Sequence, residues 1–384
     1  MTIKVWDYLT EYEEERADVL AGVEKVLSSG KLILADSVKA FEAAFASYCG
    51  VKHGIGVDNG TNALFLSLRA LNIGPGDEVI TVSNTAVPTV AAIVAAGATP
   101  RFVDIERETY LMNLDLLEEA ITERTRCILP VHLFGQCVDM DRVNAIAQKH
   151  SLAVLEDCAQ SHGATNKGRV AGSMSNVSAF SFYPTKVLGG YGDGGMVLTN
   201  QDELSFRVRS LRFYGMEGFA GGSPGVREAK AAYYAEESGY NSRLDELHAE
   251  ILLRKLKRLD HYIARRRELA AHYDQILSST SLFLPQIAPD NEHIYYLYVC
   301  RHPERDRILS EAAQRDVLLN VSYPWPIHLM RAYAHLGYEV GSLPETEAAA
   351  KEIFSLPMYP TLSREALETV CRVLGEVLGE QVNL

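Results

Sequence analysis

One lysine, Lys186, lies in the segment FSFYPTKVLGGYGDGG (residues 180–195), between an apolar aromatic run and five glycines. The aromatic and proline residues before it predict a position at the end of a strand. The glycines after it would let the backbone approach another group closely. A lysine in a partly desolvated pocket can act as a nucleophile. The ordinary alternative is a surface lysine in a hairpin turn.

A second polar segment, DNGTNALFLSLRAL (residues 58–71), opens from a turn directly into an apolar-periodic helix. This arrangement predicts free backbone N–H groups and the positive end of a helix dipole beside Gly60 and Thr61. Such a helix start is suited to bind a phosphate. Plain capping of the helix by Asn59 or Thr61 would produce the same pattern.

An acidic residue, Asp157, ends the apolar part of VLEDCAQSHGA (residues 154–164), which is predicted to be a central strand. A carboxylate there needs a cationic partner or good hydrogen bonds to remain ionised. A helix cap or a structural salt bridge would also account for it. Gln160 and His162 follow closely, and a histidine in this setting more often packs than catalyses.

Together these three segments match the requirements of pyridoxal 5'-phosphate (PLP). Lys186, about 30 residues after Asp157, would form the Schiff base. The aspartate would keep the pyridine nitrogen protonated so that the ring can take up the electrons of a carbanion. The helix start at Gly60 would hold the phosphate. We therefore predict a PLP site, with no metal.

Alternating strands and helices are predicted to position these groups. The pattern places strands at residues 78–82, 99–105, 126–134, 152–157, 178–182 and 194–200, and helices at 85–97, 114–121 and 140–150. Alternation of this kind predicts an α/β fold with a mainly parallel sheet between helices on both faces. Ligands of such sheets bind at the carboxyl ends of the strands.

The pattern changes after about Leu244. Residues 245–277 form one long, charged, amphipathic stretch that predicts a helix, and residues 293–301 predict a strand. Residues 216–240 have no clear period and predict a long loop. We therefore predict a large PLP-binding domain with the N-terminal segment at 1–249 and a smaller α+β domain at 250–384.

Composition narrows the class of protein. The chain has 384 residues and a net charge of −13, which disfavours a nucleic-acid or anionic-membrane partner. The first residues show no signal peptide, and no apolar run is long enough to span a bilayer. Six scattered cysteines show no zinc-ligand or disulfide spacing. These observations predict a cytoplasmic protein.

Seven motifs in order resemble the DegT/StrS family of sugar-nucleotide aminotransferases, which has the aspartate aminotransferase-like fold (fold type I). The motifs, which extend over nearly the whole chain, are NGTNAL, PVHLFGQCVDM, EDCAQSHGA, FSFYPTK with GDGG, RFYGM, GYNSRLDELHAEILLRKL and YPWPIHL. The resemblance implies a transaminase that alternates between PLP and pyridoxamine 5'-phosphate. L-glutamate would be the amino donor and a nucleotide sugar the acceptor.

The resemblance also implies roles for individual residues around the cofactor. Lys186 would be the catalytic, cofactor-linked lysine, Asp157 the partner of the pyridinium, and Gln160 a neighbour of the ring hydroxyl. The phosphate contacts fall on Gly60, Thr61 and Ser181.

Further implied roles concern a second subunit and the sugar. Asn241 is expected to reach the phosphate of the neighbouring subunit's cofactor, so that a homodimer would share its active sites. The implied substrate-binding residues are Tyr183, Tyr214, Tyr323 and His328. For His328, packing beside Trp325 and two prolines is the alternative.

Two departures from the commoner family pattern bear on the substrate. Many relatives have histidine where this chain has Tyr183, and YPTK followed by GDGG is similar to the branch that acts on 3-keto-6-deoxy sugars. Ala86 occupies the position where many relatives place an aromatic residue on the cofactor ring. We predict that Ala86 contributes an apolar contact there, together with Val87 or an aromatic residue from elsewhere in the chain.

The predicted reaction is therefore amino transfer to a dTDP-3-keto-6-deoxyhexose in deoxyamino-sugar biosynthesis. A 4-keto aminotransferase is the first alternative. PLP-dependent sugar dehydration is disfavoured because such relatives replace the lysine by histidine, and Lys186 is present. A regulator that binds the cofactor without turnover stays open. A nicotinamide-binding protein is disfavoured because no GxGxxG opens a helix after the first strand.

Overall fold

The protein is described by a computed structural model at residues 2–216 and 233–384. Most of the loop predicted at 216–240 falls outside these residues. The helices are α1 (Tyr8–Ser29), α2 (Asp36–Cys49), α3 (Gly60–Ala70), α4 (Val87–Ala95), α5 (Met140–Lys149), α6 (Asp202–Leu211), α7 (Glu246–Leu256), α8 (Leu259–Leu277), α9 (Arg305–Ala313), α10 (Pro344–Glu352) and α11 (Arg364–Leu378).

In the described part of the chain the strands form three sheets. Their bounds are β1 (His53–Val57), β2 (Glu78–Val82), β3 (Thr99–Val103), β4 (Thr125–Ile128), β5 (Ala153–Asp157), β6 (Thr165–Asn166), β7 (Arg169–Val170), β8 (Val177–Ser181), β9 (Gly195–Thr199), β10 (Asn291–Glu292), β11 (Tyr298–Arg301) and β12 (Ile353–Leu356). The largest sheet has seven strands in the order β1-β9-β8-β5-β4-β2-β3. Its pairs from β8 to β3 are parallel, and β9 is antiparallel to both of its neighbours.

The central strands follow directly from the sequence. All five residues of EVITV in β2 are buried, as expected for a parallel strand covered on both faces. The apolar helix α4 follows and ends before Gly97, which has φ of 87°. That left-handed conformation suits glycine and turns the chain into β3. The predicted mainly parallel sheet between helices is confirmed.

Three predicted elements are much shorter in the structure than expected. Residues 114–121 form only a 3-10 turn at Glu118–Ala120 in place of the expected helix. The strand predicted at 126–134 stops at Ile128, two residues before Pro130, which has no N–H to donate. The strand predicted at 293–301 begins only at Tyr298.

The long helix predicted at 245–277 is divided into α7 and α8 by Lys257 and Arg258. Helix α7 packs against α1 and α2. Helix α8 starts in one core with Leu259 and Ile263 and continues in a second core from Leu269 to Leu277. The break therefore redirects the chain from one core towards the other, although neither residue at the break is a helix breaker.

The two largest hydrophobic cores of the described residues lie in different parts of the fold, and the larger one includes residues beyond 250, such as Leu259 and Ile353. The larger core surrounds the seven-stranded sheet, and the smaller one includes residues from α8, α9, β11, β12 and α11. The exact division at 249/250 stays a prediction. Among the residues described, no helix is long and apolar enough to cross a membrane.

Candidate active site

A cavity of about 300 Å³ lies at the carboxyl ends of the central strands. Strand β5 ends in Asp157, β8 ends in Ser181, and helix α3 begins at Gly60 directly after β1. The cavity brings together these predicted residues: Gly60, Thr61, Ala86, Asp157, Gln160, Ser181, Tyr183 and Lys186. Residues that are more than 120 positions apart in the chain thus share one pocket because parallel strands end at one edge.

The start of α3 forms one end of the pocket. The Asn59 side chain accepts a hydrogen bond from the Asn62 backbone N–H at 2.8 Å, so capping is present. Gly60 lies so close to β8 that an added Cβ would stand 2.5 Å from the Ser181 Cβ. The glycine, the serine hydroxyl and the first N–H groups of the helix therefore form a narrow cradle that fits a phosphate.

The glycines after Lys186 allow other segments of the protein to approach the backbone closely. A Cβ at Gly195 would stand 2.4 Å from the Asn59 carbonyl oxygen, and one at Gly192 would stand 2.5 Å from the His248 ring. The close approach expected from the sequence is therefore present, and the approaching groups are the turn before α3 and helix α7.

Asp157 is buried deep in the pocket. Its carboxylate accepts hydrogen bonds from the Thr89 hydroxyl at 2.8 Å and from the Ala159 N–H at 3.1 Å. Burial raises the pKa of Asp157, while these two hydrogen bonds and the charge of Lys186 lower it. A cationic group in the cavity would offset the cost of burial, so Asp157 fits a protonated ring nitrogen.

Gln160 is fixed at both ends of its amide. Its carbonyl oxygen accepts a hydrogen bond from the Phe134 N–H at 2.9 Å, and its NH₂ group donates to the Tyr323 hydroxyl. Phe134 and Tyr323 stack with ring centroids 6.2 Å apart. Tyr323 therefore contacts Gln160, which lines the cavity.

Lys186 is half-buried, and its ammonium points to a residue that we did not select from the sequence. The Nζ atom is 3.5 Å from the Tyr296 hydroxyl and 4.6 Å from the centroid of its ring. Tyr296 lines the cavity. No sequence signal identifies it, because HIYYLYVCR has the composition of an ordinary strand.

Three other predicted residues occupy exposed positions. Tyr183 lines the cavity mouth and is 52% exposed. Tyr214 is 41% exposed with φ of 61°, and Asn241 is exposed opposite Phe213 in an isolated bridge. Neither Tyr214 nor Asn241 lines the cavity of its own chain. Their predicted roles stay predictions.

His328 lies outside the cavity and is buried. Its Nδ1 is 2.8 Å from the Ser83 hydroxyl, and its Nε2 is 3.2 Å from the Glu347 carboxylate. Phe102 and Tyr338 lie beside the ring. Both ring nitrogens have partners within the protein, as the packing alternative expects, and the predicted sugar contact stays a prediction.

Two more buried histidines have structural surroundings. His162 packs against Phe45, Phe180 and Phe182, and burial lowers its pKa to about 3. His132 bonds Glu156 at 2.9 Å, close to Cys158, in an arrangement that could hold a metal.

The Glu156 carboxylate already accepts hydrogen bonds from the Gly172 and Met174 N–H groups and the Ser175 hydroxyl. The His132–Glu156 pair therefore stabilises strand β5 next to Asp157.

Comparison with known proteins identifies this type of site. The model of the DegT/DnrJ/EryC1/StrS aminotransferase family matches residues 13–375. The chain belongs to that family. The predicted family, the fold type I architecture and the PLP-dependent sugar aminotransferase activity are thereby confirmed.

Individual relatives cover almost the whole chain. A protein of Micromonospora megalomicea subsp. nigra, named dTDP-3-amino-3,4,6-trideoxy-alpha-D-glucose transaminase, is 53% identical over 98% of this chain and 99% of its own. The crystal structure of Streptomyces venezuelae DesV in complex with a ketimine intermediate has a TM-score of 0.93 and 41% identity, with 100% of both chains covered.

NtdA from Bacillus subtilis, with bound cofactor PMP, is 30% identical with a TM-score of 0.85, over 96% of this chain and 82% of that chain. The family and the NtdA structure imply a PLP-type cofactor. The cradle at Gly60, the buried Asp157 and the half-buried Lys186 amine fit such a group.

Proposed function

We propose that this member of the DegT/DnrJ/EryC1/StrS family transfers the amino group of L-glutamate to a dTDP-3-keto-6-deoxyhexose. The products would be a dTDP-3-amino sugar and 2-oxoglutarate. The convergence of Lys186, Asp157 and the start of α3 in one cavity supports the chemistry. The choice of sugar rests on the name of the relative that is 53% identical.

Each residue of the pocket has a distinct task in this proposal. PLP, when bound, supplies an electron sink for a carbanion. The N–H groups at Gly60 and Thr61 and the Ser181 hydroxyl hold its phosphate, and Asp157 holds a proton on the ring nitrogen. Gln160, fixed by Phe134, limits movement of the ring.

Lys186 moves the proton of the reaction. The Lys186 amine would act as general base for the proton on Cα of the amino donor and as general acid when that proton is returned. The same steps in reverse deliver the amino group to the sugar. The half-buried position of Lys186 beside Tyr296 limits access of water to this amine.

A second subunit completes the proposal. Asn241 is exposed and outside its own cavity, which supports a contact with the cofactor phosphate of a neighbouring copy. The proposed active form is therefore a homodimer with shared active sites.

The deciding experiment compares two substrates on the purified protein. With L-glutamate as donor, we expect kcat/KM for a dTDP-3-keto-6-deoxyhexose to exceed that for the 4-keto isomer by about tenfold or more, which is at least ~1.4 kcal/mol in transition-state binding. A preference for the 4-keto sugar would support the alternative substrate. Mass spectrometry of the product locates the new nitrogen.

The Lys186→Ala variant is the control for the chemistry. We expect it to lose the visible absorbance of the lysine-linked cofactor together with all amino transfer. An unchanged rate in this variant would end the proposal. A wild-type protein that binds PLP, yet leaves L-glutamate unconverted, would instead indicate a regulator.

A further inference from the structure

Tyr296 reaches the pocket through a local distortion of the backbone. The residue before it, Tyr295, has φ of 49°, a left-handed conformation that is unfavourable for a bulky side chain. The segment therefore leaves extended geometry, and β11 starts only at Tyr298. A regular strand would have alternated Tyr295 and Tyr296 between opposite faces.

The surrounding residues hold this distortion in place. The buried Arg266 guanidinium donates hydrogen bonds to the carbonyl oxygens of Tyr295 at 3.1 Å and Tyr296 at 3.3 Å. Gly135 has φ of 113°, and an added Cβ there would stand 2.8 Å from the Tyr296 nitrogen. A charged side chain and a required glycine thus fix the position of Tyr296, consistent with backbone strain maintained at a functional site.

The Tyr296 side chain contacts the lysine segment at two points. Its hydroxyl is 3.3 Å from the Thr185 hydroxyl and 3.5 Å from the Lys186 Nζ, while the ammonium lies 4.6 Å from the ring centroid. Within residues 2–216 and 233–384, no ion pair holds Lys186. The hydrogen bond and the cation–π contact of the ammonium are both made to Tyr296, through its oxygen and through its ring.

We propose that Tyr296 is the positioning residue for Lys186 in amino transfer, an inference that rests on the proposed function. The ring attracts the ammonium form by cation–π interaction, and the hydroxyl oxygen accepts a hydrogen bond from it. The freed lysine is thereby held at one place between its two proton transfers. Lys186 alone takes and gives the proton, and Tyr296 exchanges none.

Two variants distinguish the contribution of the Tyr296 hydroxyl from that of its aromatic ring. Tyr296→Phe keeps the aromatic face and removes the hydroxyl, and Tyr296→Leu removes both. Tyr295→Phe is the matched control, because it makes the same chemical change one residue away, on a buried side chain outside the cavity.

The first measurement is the single-turnover rate of amino transfer from L-glutamate to the bound cofactor. We expect Tyr296→Phe to lower this rate about tenfold with an unchanged KM for glutamate, since a hydrogen bond to a charged group is lost. Tyr296→Leu is expected to lower it about a hundredfold because the cation–π contact is lost as well. The control is expected to stay within about twofold of wild type.

The second measurement is the visible circular dichroism of the holoenzyme per bound cofactor, which reports a fixed orientation without turnover. We expect the signal to fall in Tyr296→Phe and to be retained in Tyr295→Phe. Wild-type values of both rate and signal in Tyr296→Phe would overturn the inference, even if Tyr296→Leu does not fold. A wild-type protein without amino transfer would overturn the proposed function instead.

Discussion

The two sides of the active site were assembled in different ways. Apart from Asn241, the residues assigned to the cofactor meet in one cavity, and Asp157, Ser181 and Gly60 each lie at a strand end or a helix start. The residues assigned to the sugar lie on irregular segments and are spread out. Among them, Tyr183 is at the cavity mouth, whereas His328 is buried elsewhere.

This difference has a physical origin. A parallel sheet places the carboxyl ends of its strands at one edge, so a residue at a strand end is located once the strand is predicted. A loop residue has no such constraint, and its side chain can face the pocket, the core or another subunit. Three experiments test whether the two sides differ in this way.

The largest effect is expected from Asp157→Asn. The amide keeps the shape of the side chain but cannot balance a positive charge on the ring nitrogen. We expect kcat to fall about a hundredfold or more, the scale seen when one preorganised electrostatic contact is removed from an active site. Steady-state kinetics at saturating cofactor measures this.

The matched control is Asp104→Asn, a buried aspartate that accepts hydrogen bonds from the Glu345 and Thr346 N–H groups. It should lower the free energy of unfolding by about 1–3 kcal/mol and change kcat little. Equal losses of kcat in both variants would show that the cofactor side has no special dependence on Asp157.

A smaller effect is expected from Gly60→Ala. The new Cβ would stand 2.5 Å from the Ser181 Cβ, so α3 and β8 must separate or the phosphate cradle must deform. We expect the dissociation constant of PLP to rise about tenfold, which is ~1.4 kcal/mol. Titration of the apoprotein by absorbance measures it.

Gly74→Ala is the control for this change, because the nearest atom to its Cβ is 3.7 Å away and the residue lies outside the cavity. It should leave cofactor affinity unaltered. Normal PLP affinity in the Gly60→Ala variant would show that the cradle at Gly60 does not hold the cofactor phosphate.

The smallest effect on catalysis is expected from His328→Gln. The side chain contacts Ser83 and Glu347 in the interior, so we expect the free energy of unfolding to fall by about 1–3 kcal/mol. The KM for the nucleotide sugar should stay within about threefold. Urea denaturation and steady-state kinetics test the two statements.

A large rise in KM with normal stability would restore the sugar contact implied by the sequence. Sequence motifs would then predict contacts to the sugar nearly as well as they predict contacts to the cofactor. Burial of both ring nitrogens argues for the opposite result.

Prediction of the fold succeeded where local patterns were strong. The strand EVITV was located to the residue, and the helix at Met140–Lys149 to within one. Prediction failed at residues 114–121 and 293–297. In both segments an apolar pattern was present, but residues 114–121 form only a short 3-10 turn, and β11 starts at Tyr298, after the left-handed Tyr295.

The sequence by itself determined the chemistry of the cofactor side. Lys186, Asp157 and Gly60 have residue types that PLP requires, and strand periodicity placed them at one edge of a sheet.

Only the tertiary structure decided which aromatic residue faces the lysine and where His328 lies. Tyr296 enters the pocket because Gly135 and Arg266, which are distant in sequence, hold a turn that no local preference favours. Contacts of this kind depend on packing between separate segments, which local sequence patterns do not predict.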